Sequence, residues 1–261
     1  MRYSEVLESM KNDGGLWSAT VTEDWLQGRS IFGGLQAALA VRAMRAWVPP
    51  DLPLRTLQVT FMAPVAAGHV QVLAQVLRTG KSATHVEARI VDADQTLCIA
   101  VGIFGAGRPS QISVVPRQSP VAATKPIVFP FIQGITPNFT QHLAVRWLEG
   151  SPPFTGNPSP KAVVEVGLRD SGPVGEAQVL AIADFIPPVA LSMLKVRAFG
   201  SSMTWTIEFL LDRFDALTLQ GWRVDAEVVA AGDGYTSQSS MIWGPGGEAV
   251  AVSRQNMVVF A

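Results

Sequence analysis

The stretch Gly33-Gly34-Leu35-Gln36-Ala37-Ala38-Leu39-Ala40-Val41 decides how this chain of 261 residues folds. It opens a predicted helix that runs from about Gly33 to Trp47 and has almost no polar stripe. A helix on the surface of a globular protein carries polar residues along one side, so a helix that is apolar nearly all round has to be covered on most sides. The stretch therefore predicts a central helix that other elements enclose.

Strand patterns follow on either side of this helix. Residues 17–22 and 85–90 alternate apolar and polar side chains, and residues 97–104 form a continuous apolar run. Alternation with a period of two is typical of a strand with one buried face, whereas a continuous run indicates a central strand. Strands that cover a buried helix indicate an α+β fold, in which a sheet packs on a helix.

A second copy of this pattern follows in the later part of the chain. The strand candidate at 56–62 matches residues 204–210 at an offset of 148, and Gly80 matches Gly232 at an offset of 152. A second apolar helix is predicted to start near Pro187, because proline is tolerated in the first turn of a helix. The chain is therefore predicted to be an internal duplication.

A proline-rich middle separates the two copies. It shows little periodicity and contains Pro109, Pro116, Pro120, Pro126, Pro130 and Pro137. Such a composition is typical of a connecting segment. We predict an amino-terminal unit at residues 1–107, a connecting segment at 108–137 and a carboxy-terminal unit at 138–261.

The composition excludes several classes of function. Lys and Arg number 20 and Asp and Glu number 21, so a formal charge of -1 offers no basic surface for nucleic acid. Three histidines and one cysteine are too few for a Cys/His metal site or an internal disulfide, and we expect no metal and no cofactor. No apolar stretch reaches about 18 residues, so we expect no membrane span, and a cytoplasmic location.

Several short segments resemble the acyl-CoA thioesterase II family. In the first half they are Phe32-Gly33-Gly34, Phe61-Met62-Ala63-Pro64-Val65 and Arg78-Thr79-Gly80-Lys81-Ser82. In the second half they are residues 183–191, 202–206 and 252–255. The resemblance implies a double hotdog fold, with two curved antiparallel sheets that are each wrapped around a central helix.

The resemblance also implies a catalytic site. The family uses an Asp, a Thr and a Gln to hold a hydrolytic water, and their order along the chain matches Asp184, Thr204 and Gln255. We expect Asp184 just ahead of the second helix, where amide donors would lower its pKa. Gly33 and Gly34 are candidates for the amides that bind the substrate carbonyl. The implied reaction converts acyl-CoA into a free acid and CoA, within lipid metabolism.

Other interpretations remain open from the residues alone. Asp184 is a good helix cap, Thr204 is ordinary in a strand, and Gln255 could face solvent. A hotdog hydratase or dehydratase acting on an acyl thioester, or a non-catalytic acyl-CoA-binding protein, would have the same fold. Arg78 and Lys81 are candidates for contacts with the phosphates of CoA. We expect a homodimer or a higher homo-oligomer.

Overall fold

A computed structural model describes residues 1–121 and 125–260. Residues 122–124 of the predicted connecting segment and residue 261 of the predicted carboxy-terminal unit lie outside this description. The first half contains α1 (Tyr3–Glu8), β1 (Lys11–Asp13), β2 (Leu16–Val21), β3 (Leu26–Gln27), β4 (Ser30–Ile31), α2 (Gly33–Met44), β5 (Leu54–Phe61), β6 (Gly68–Thr79), β7 (Thr84–Asp92) and β8 (Gln95–Phe104).

Within the described residues, the second half has seven strands and one α-helix. It contains β9 (Ile127–Val128), β10 (Leu143–Glu149), β11 (Lys161–Leu168), α3 (Glu176–Ala183), β12 (Phe199–Phe209), β13 (Trp222–Gly232), β14 (Tyr235–Trp243) and β15 (Ala249–Phe260). Short 3-10 turns lie at Glu23–Trp25, Arg45–Trp47, Asn138–His142 and Val189–Met193. Across the described ranges, no helix is long and apolar enough to cross a membrane.

One antiparallel sheet runs through both halves. Within the described residues it has thirteen strands, in the order β1-β2-β6-β7-β8-β5-β12-β15-β14-β13-β11-β10-β9. Strands β5 and β12 pair with each other and join the halves. The structure therefore has one continuous sheet where two separate sheets were predicted, because the edge strand of each half is completed by the other half.

The two halves share one topology. The hairpin β1–β2, helix α2 and strands β5 to β8 correspond in order to β10–β11, α3 and β12 to β15. At the junction Gln58 pairs with Thr206, and the flanking pairs are Leu57 with Ile207 and Val59 with Trp205. This symmetric register is what a twofold axis relating residues 148 apart produces, so it agrees with the predicted offset.

The second helix lies elsewhere than predicted. Helix α3 ends at Ala183, and the segment from Val189 to Met193 forms only a 3-10 turn. Proline disfavours helical backbone in the residue before it, so Pro187 and Pro188 interrupt the apolar run instead of starting a helix. The actual start signal is Gly175, whose N–H donates to Gln178 Oε1 at 3.0 Å.

Helices α2 and α3 lie side by side in opposite directions. A Cβ at Gly34, at the start of α2, would lie 2.9 Å from the carbonyl oxygen of Leu180 near the end of α3. At the other end of the pair, Arg45 forms an ion pair with Glu176. Ten of the twelve residues of α2 are buried, which confirms the prediction of an enclosed helix.

Helix α1 packs on the second half of the chain. The hydroxyl of Tyr3 donates to the carbonyl oxygen of Ala177 at 2.7 Å. The backbone N–H of Ser4 donates to Asp170 Oδ2 at 2.6 Å, and its hydroxyl donates to Oδ1 at 2.9 Å. The first residues therefore tie the start of α3 to the first half.

Candidate active site

Asp184 and Gln255 meet at the start of α2. Asp184 follows the last residue of α3, and Gln255 lies on β15, buried on the side that faces the helices. Gln255 Nε2 donates to Asp184 Oδ1 at 2.5 Å. The other carboxylate oxygen, Oδ2, lies 2.7 Å from the position that a Cβ at Gly33 would take. Two of the three predicted catalytic side chains therefore come together.

Burial dominates the electrostatics of Asp184. It raises the pKa of this carboxyl from an ordinary value of 3.8 to about 7, although hydrogen bonds from Gln255 and the Gly34 N–H favour the charged form. The expected lowering of the pKa is wrong, because burial outweighs the hydrogen bonds that Asp184 accepts at the start of α2. A carboxyl with a pKa near 7 suits a general base.

Gly33 carries the free amide at this helix start. The N–H of Gly34 is hydrogen-bonded to Asp184, whereas Leu35 and Gln36 donate to the carbonyl oxygen of Phe32. In the described part of the chain, the N–H of Gly33 has no hydrogen-bond partner. Of the two predicted carbonyl-binding amides, only that of Gly33 is therefore available to a substrate.

Thr204 lies on the outer face of the sheet. It is exposed and pairs with Asn256, whereas its neighbour Trp205 is buried and pairs with Gln255. Successive side chains of a strand point to opposite faces, so Thr204 points away from Gln255 and Asp184. The prediction that Thr204 joins these two residues is wrong on this geometry.

A bulge brings a different hydroxyl to the inner face. The register of β12 shifts between Ser202 and Thr204, which leaves Met203 as an extra residue. Ser202 is half-buried and pairs with Met257, a buried residue two positions beyond Gln255. Sequence reasoning missed Ser202 because one extra residue reverses the alternation and leaves no trace in the hydrophobic pattern.

Metal binding and nucleophilic attack are two further chemistries that the His, Cys, Asp and Glu side chains of the described residues could supply. Over residues 1–121 and 125–260, no group of three or more His, Cys, Asp or Glu side chains is placed to hold a metal ion. Cys98 is buried in the core, and burial raises the pKa of its thiol to about 12. A thiol with so high a pKa is a poor nucleophile.

Two family models cover most of the chain. Residues 21–105 match the model of the acyl-CoA thioesterase N-terminal domain, and residues 116–259 match the model of the C-terminal domain. The chain belongs to the acyl-CoA thioesterase family. The resemblance noted in the sequence is thus confirmed, and membership supports thioester hydrolysis as the activity of this thioesterase. Among curated proteins, none matches the sequence.

Solved structures share the fold of the thioesterase. A protein of unknown function with a hot dog fold from Alicyclobacillus acidocaldarius has a TM-score of 0.84 and 22% identity, covering 99% of this chain and 98% of that one. An acyl-CoA thioesterase II from Mycobacterium marinum has a TM-score of 0.73 and 16% identity, covering 99% of this chain and 98% of that one. The dehydratase domain of RzxB from Pseudomonas fluorescens has a TM-score of 0.60 and 10% identity, covering 100% of both chains. At these identities the likeness shows the hotdog fold alone.

The other end of the helix pair in the thioesterase holds an ion pair. Arg45 follows the last residue of α2, as Asp184 follows the last residue of α3. It pairs with Glu176 at the start of α3, and Glu176 also accepts the N–H of Leu54 at 3.1 Å. Only one of the two helix junctions therefore carries the Asp.

Arg78 and Lys81 lie far from this site. They flank the turn of the β6–β7 hairpin, at the end of the sheet where β5 begins with Leu54. Gly33 lies against Phe61, at the other end of β5. At about 3.3 Å per residue, β5 separates the two ends by roughly 23 Å. The structure therefore gives no support to these residues as contacts for the phosphates of a thioester at Gly33.

We expect the kcat of the thioesterase to rise with pH around a midpoint near 7. Asp184 can accept a proton only when it is ionised, and burial raises its pKa to about 7. The measurement is kcat for one acyl-CoA between pH 5.5 and 9, corrected for the alkaline background with an Asp184→Asn protein. A profile that is already flat at pH 5.5 would contradict this role for Asp184.

Proposed function

We propose that this thioesterase hydrolyses acyl-CoA with a water that Asp184 and Gln255 hold at the start of α2. The hydrogen bond from Gln255 Nε2 to Asp184 Oδ1 is the observation that carries the proposal. Gln255 donates to Oδ1, so Asp184 Oδ2 keeps a lone pair that can accept a proton, and the carbonyl oxygen of Gln255 can accept a hydrogen bond. A water between these two acceptors would have one lone pair directed at a bound thioester.

The proposed reaction uses one carboxylate for both proton transfers. Asp184 takes a proton from the water as the water oxygen attacks the thioester carbon, and the N–H of Gly33 stabilises the resulting oxyanion. Collapse of the tetrahedral intermediate breaks the C–S bond, and the proton on Asp184 passes to the departing thiolate of CoA. General-base help contributes about 10²–10⁴ in rate, and one oxyanion donor about 10²–10³.

Ser202 is proposed to supply the hydroxyl that the sequence assigned to Thr204. Because Ser202 lies on the inner face and pairs with Met257, two residues beyond Gln255, Ser202→Ala should lower kcat about tenfold, the equivalent of one lost hydrogen bond. Thr204→Ala should leave kcat within about twofold, because exposed substitutions away from a site have small effects. Measured kcat values in the opposite order would assign the role to Thr204.

We further infer that the chain is a double hotdog, with units at 1–107 and 138–261 and a connecting segment at 108–137. The identical strand order of the two halves and the symmetric register at Gln58 and Thr206 support this division. Each half also contributes one of the two antiparallel helices. At the other end of the helix pair, the ion pair of Arg45 with Glu176 takes no part in the proposed chemistry.

Self-association and location complete the proposal. Exposed apolar side chains on the sheet, such as Leu73 and Leu77, support a homodimer or higher homo-oligomer, because such residues are often covered by a second subunit. Light scattering coupled to size-exclusion chromatography tests this directly. A single cysteine suits a reducing compartment, which supports a cytoplasmic role in lipid metabolism.

Hydrolysis of a panel of acyl-CoAs tests the proposed function. Purified protein is incubated with short-chain, long-chain and aromatic acyl-CoAs, and released thiol is followed with a thiol-specific dye. We expect release from at least one class, and loss of that release in Asp184→Asn. No release from any member of the panel would contradict the proposal. Loss of enoyl absorbance without thiol release would identify a hydratase instead.

A further inference from the structure

Four exposed side chains just before and at the start of β12 form a basic and apolar segment. Lys195, Val196, Arg197 and Phe199 are exposed, and Phe199 keeps 85% of its surface accessible. The chain contains no Asp or Glu from residue 185 to residue 207. The segment therefore combines two cations with an uncovered aromatic ring in a part of the chain that has no acidic residue.

This segment lies at the same end of the sheet as the proposed active site. The turn that precedes it is tied there, because the N–H of Val189 donates to Gln238 Oε1 at 2.7 Å and Gln238 pairs with Gln255. Phe199 pairs with Phe260 on β15. Five residues of β15 separate Phe260 from Gln255, a distance of roughly 17 Å at 3.3–3.4 Å per residue.

The backbone around Lys195 is fixed by a neighbouring loop. The N–H of Gly156 donates to the carbonyl oxygen of Leu194 at 2.9 Å, and Gly156 has a positive φ of 72°. The aliphatic stem of Lys195 lies across this glycine, where a Cβ would be 2.9 Å from its Cγ and 3.0 Å from its Cε. The stem of Lys195 is thus packed on this loop.

The charges of Lys195 and Arg197 are unpaired. In the described chain, neither side chain has a carboxylate within ion-pair distance, whereas Arg45, Arg146 and Arg223 each have one. Asp233, in the hairpin next to β15, makes no ion pair with either cation. Two such cations are available to an anionic ligand.

We propose that Lys195 and Arg197 bind the phosphates of CoA and that Phe199 stacks on its adenine. The inference rests on the proposed function, because it places the thioester at Gly33 and Asp184. The pantetheine arm has about 13 bonds from sulfur to phosphorus, which at the reach of a peptide chain span about 15 Å. That length is comparable with the roughly 17 Å along β15 from Gln255 to Phe260, and Arg197 lies two residues from Phe199, which pairs with Phe260. Lys and Arg form charge-assisted bonds with phosphate, and exposed aromatic rings stack on bases.

The test compares two thioesters with the same acyl group. One is the acyl-CoA, and the other is the acyl-pantetheine, which lacks the phosphates and the nucleotide. The double variant Lys195→Gln and Arg197→Gln is measured beside the matched control Arg78→Gln and Lys81→Gln at the far end of the sheet. We expect the first variant to raise KM for acyl-CoA about tenfold or more, with kcat and the kinetics of acyl-pantetheine within twofold.

Salt dependence, the Phe199→Ala variant and direct binding of CoA provide three further tests of this site. Added salt should raise KM for acyl-CoA in the wild type but not in the variant, and Phe199→Ala should raise KM without changing kcat. An unchanged KM, equal losses with both thioesters, or an equal effect of the control pair would overturn the inference and leave thioester hydrolysis standing. If the wild type hydrolyses neither thioester, the affinity for CoA is measured by calorimetric titration. Weaker binding of CoA in the Lys195→Gln and Arg197→Gln double variant, but not in the control, supports the site. Unaltered binding in that double variant overturns it.

Discussion

Replacing Asp184 with asparagine should lower kcat for acyl-CoA by about 10²–10⁴ while making the folded protein more stable at pH 8. Asparagine cannot take a proton from water, so general-base catalysis is lost. It can still accept the hydrogen bond from Gln255, so the packing is retained. The gain in stability follows from burial, which disfavours the charged form of Asp184.

The sign of the stability change depends on pH. The pKa of Asp184 is about 7 in the folded protein and near 3.8 in an unfolded chain. Between these values the folded state binds the extra proton, so stability falls as pH rises from about 4 to 7. The Asp184→Asn protein lacks this loss, and its free energy of unfolding at pH 8 should exceed that of the wild type by about 2–4 kcal/mol.

Denaturant unfolding at pH 4 and at pH 8 measures this difference. At pH 4 it should nearly vanish, which provides an internal control. The matched variant is Asp233→Asn, which removes an exposed carboxylate in a hairpin and should change neither kcat nor stability appreciably. If Asp184→Asn were as active as the wild type, or less stable at pH 8, the account of a buried general base would be wrong.

Replacing Gly33 with valine should abolish most activity and destabilise the fold. A Cβ at this position lies 2.7 Å from Asp184 Oδ2 and 3.2 Å from the ring of Phe61, so the side chain would displace the carboxylate. A displacement of about 1 Å in a catalytic group can cost about 10² in rate, and overpacking costs about 1–3 kcal/mol. The measurements are kcat/KM and the midpoint of thermal unfolding.

Two further glycine variants separate these effects. Gly33→Ala introduces only the Cβ and should cost less stability than valine, yet still move the carboxylate. Gly232→Ala places a methyl group in open space with ordinary backbone angles, so it should leave both quantities unchanged. Full activity of Gly33→Ala would show that the close approach of Gly33 to Asp184 has no part in catalysis.

The sequence predicts those features that depend on local composition. Helix α2 was predictable because an apolar stretch of small residues without a polar stripe can only lie inside the protein. The relation of residues 56–62 to 204–210 was predictable because both copies keep one strand pattern, and the pairing of Gln58 with Thr206 has the matching symmetry. The order of Asp184 and Gln255 along the chain allowed their selection before their contact was seen.

The features that were missed depend on tertiary context. Helix α3 has only eight residues and merges with the apolar run that contains Pro187, so its end left no clear signal. The single extra residue at Met203 decides which hydroxyl faces inward, and the residues around Thr204 do not reveal it. The pKa of Asp184 is set by which helix start it meets and by what covers it, and neither is a property of its neighbours in sequence.

The central claim is that Asp184 activates a water instead of attacking the thioester itself. It is tested most directly by a single turnover of acyl-CoA in oxygen-18 water, with protein in excess over substrate. If Asp184 activates a water, thiol is released, the free acid carries one oxygen-18 atom, and the peptide containing Asp184 carries none. Release of unlabelled acid, with the label found in Asp184, would contradict the claim, as would the absence of any turnover.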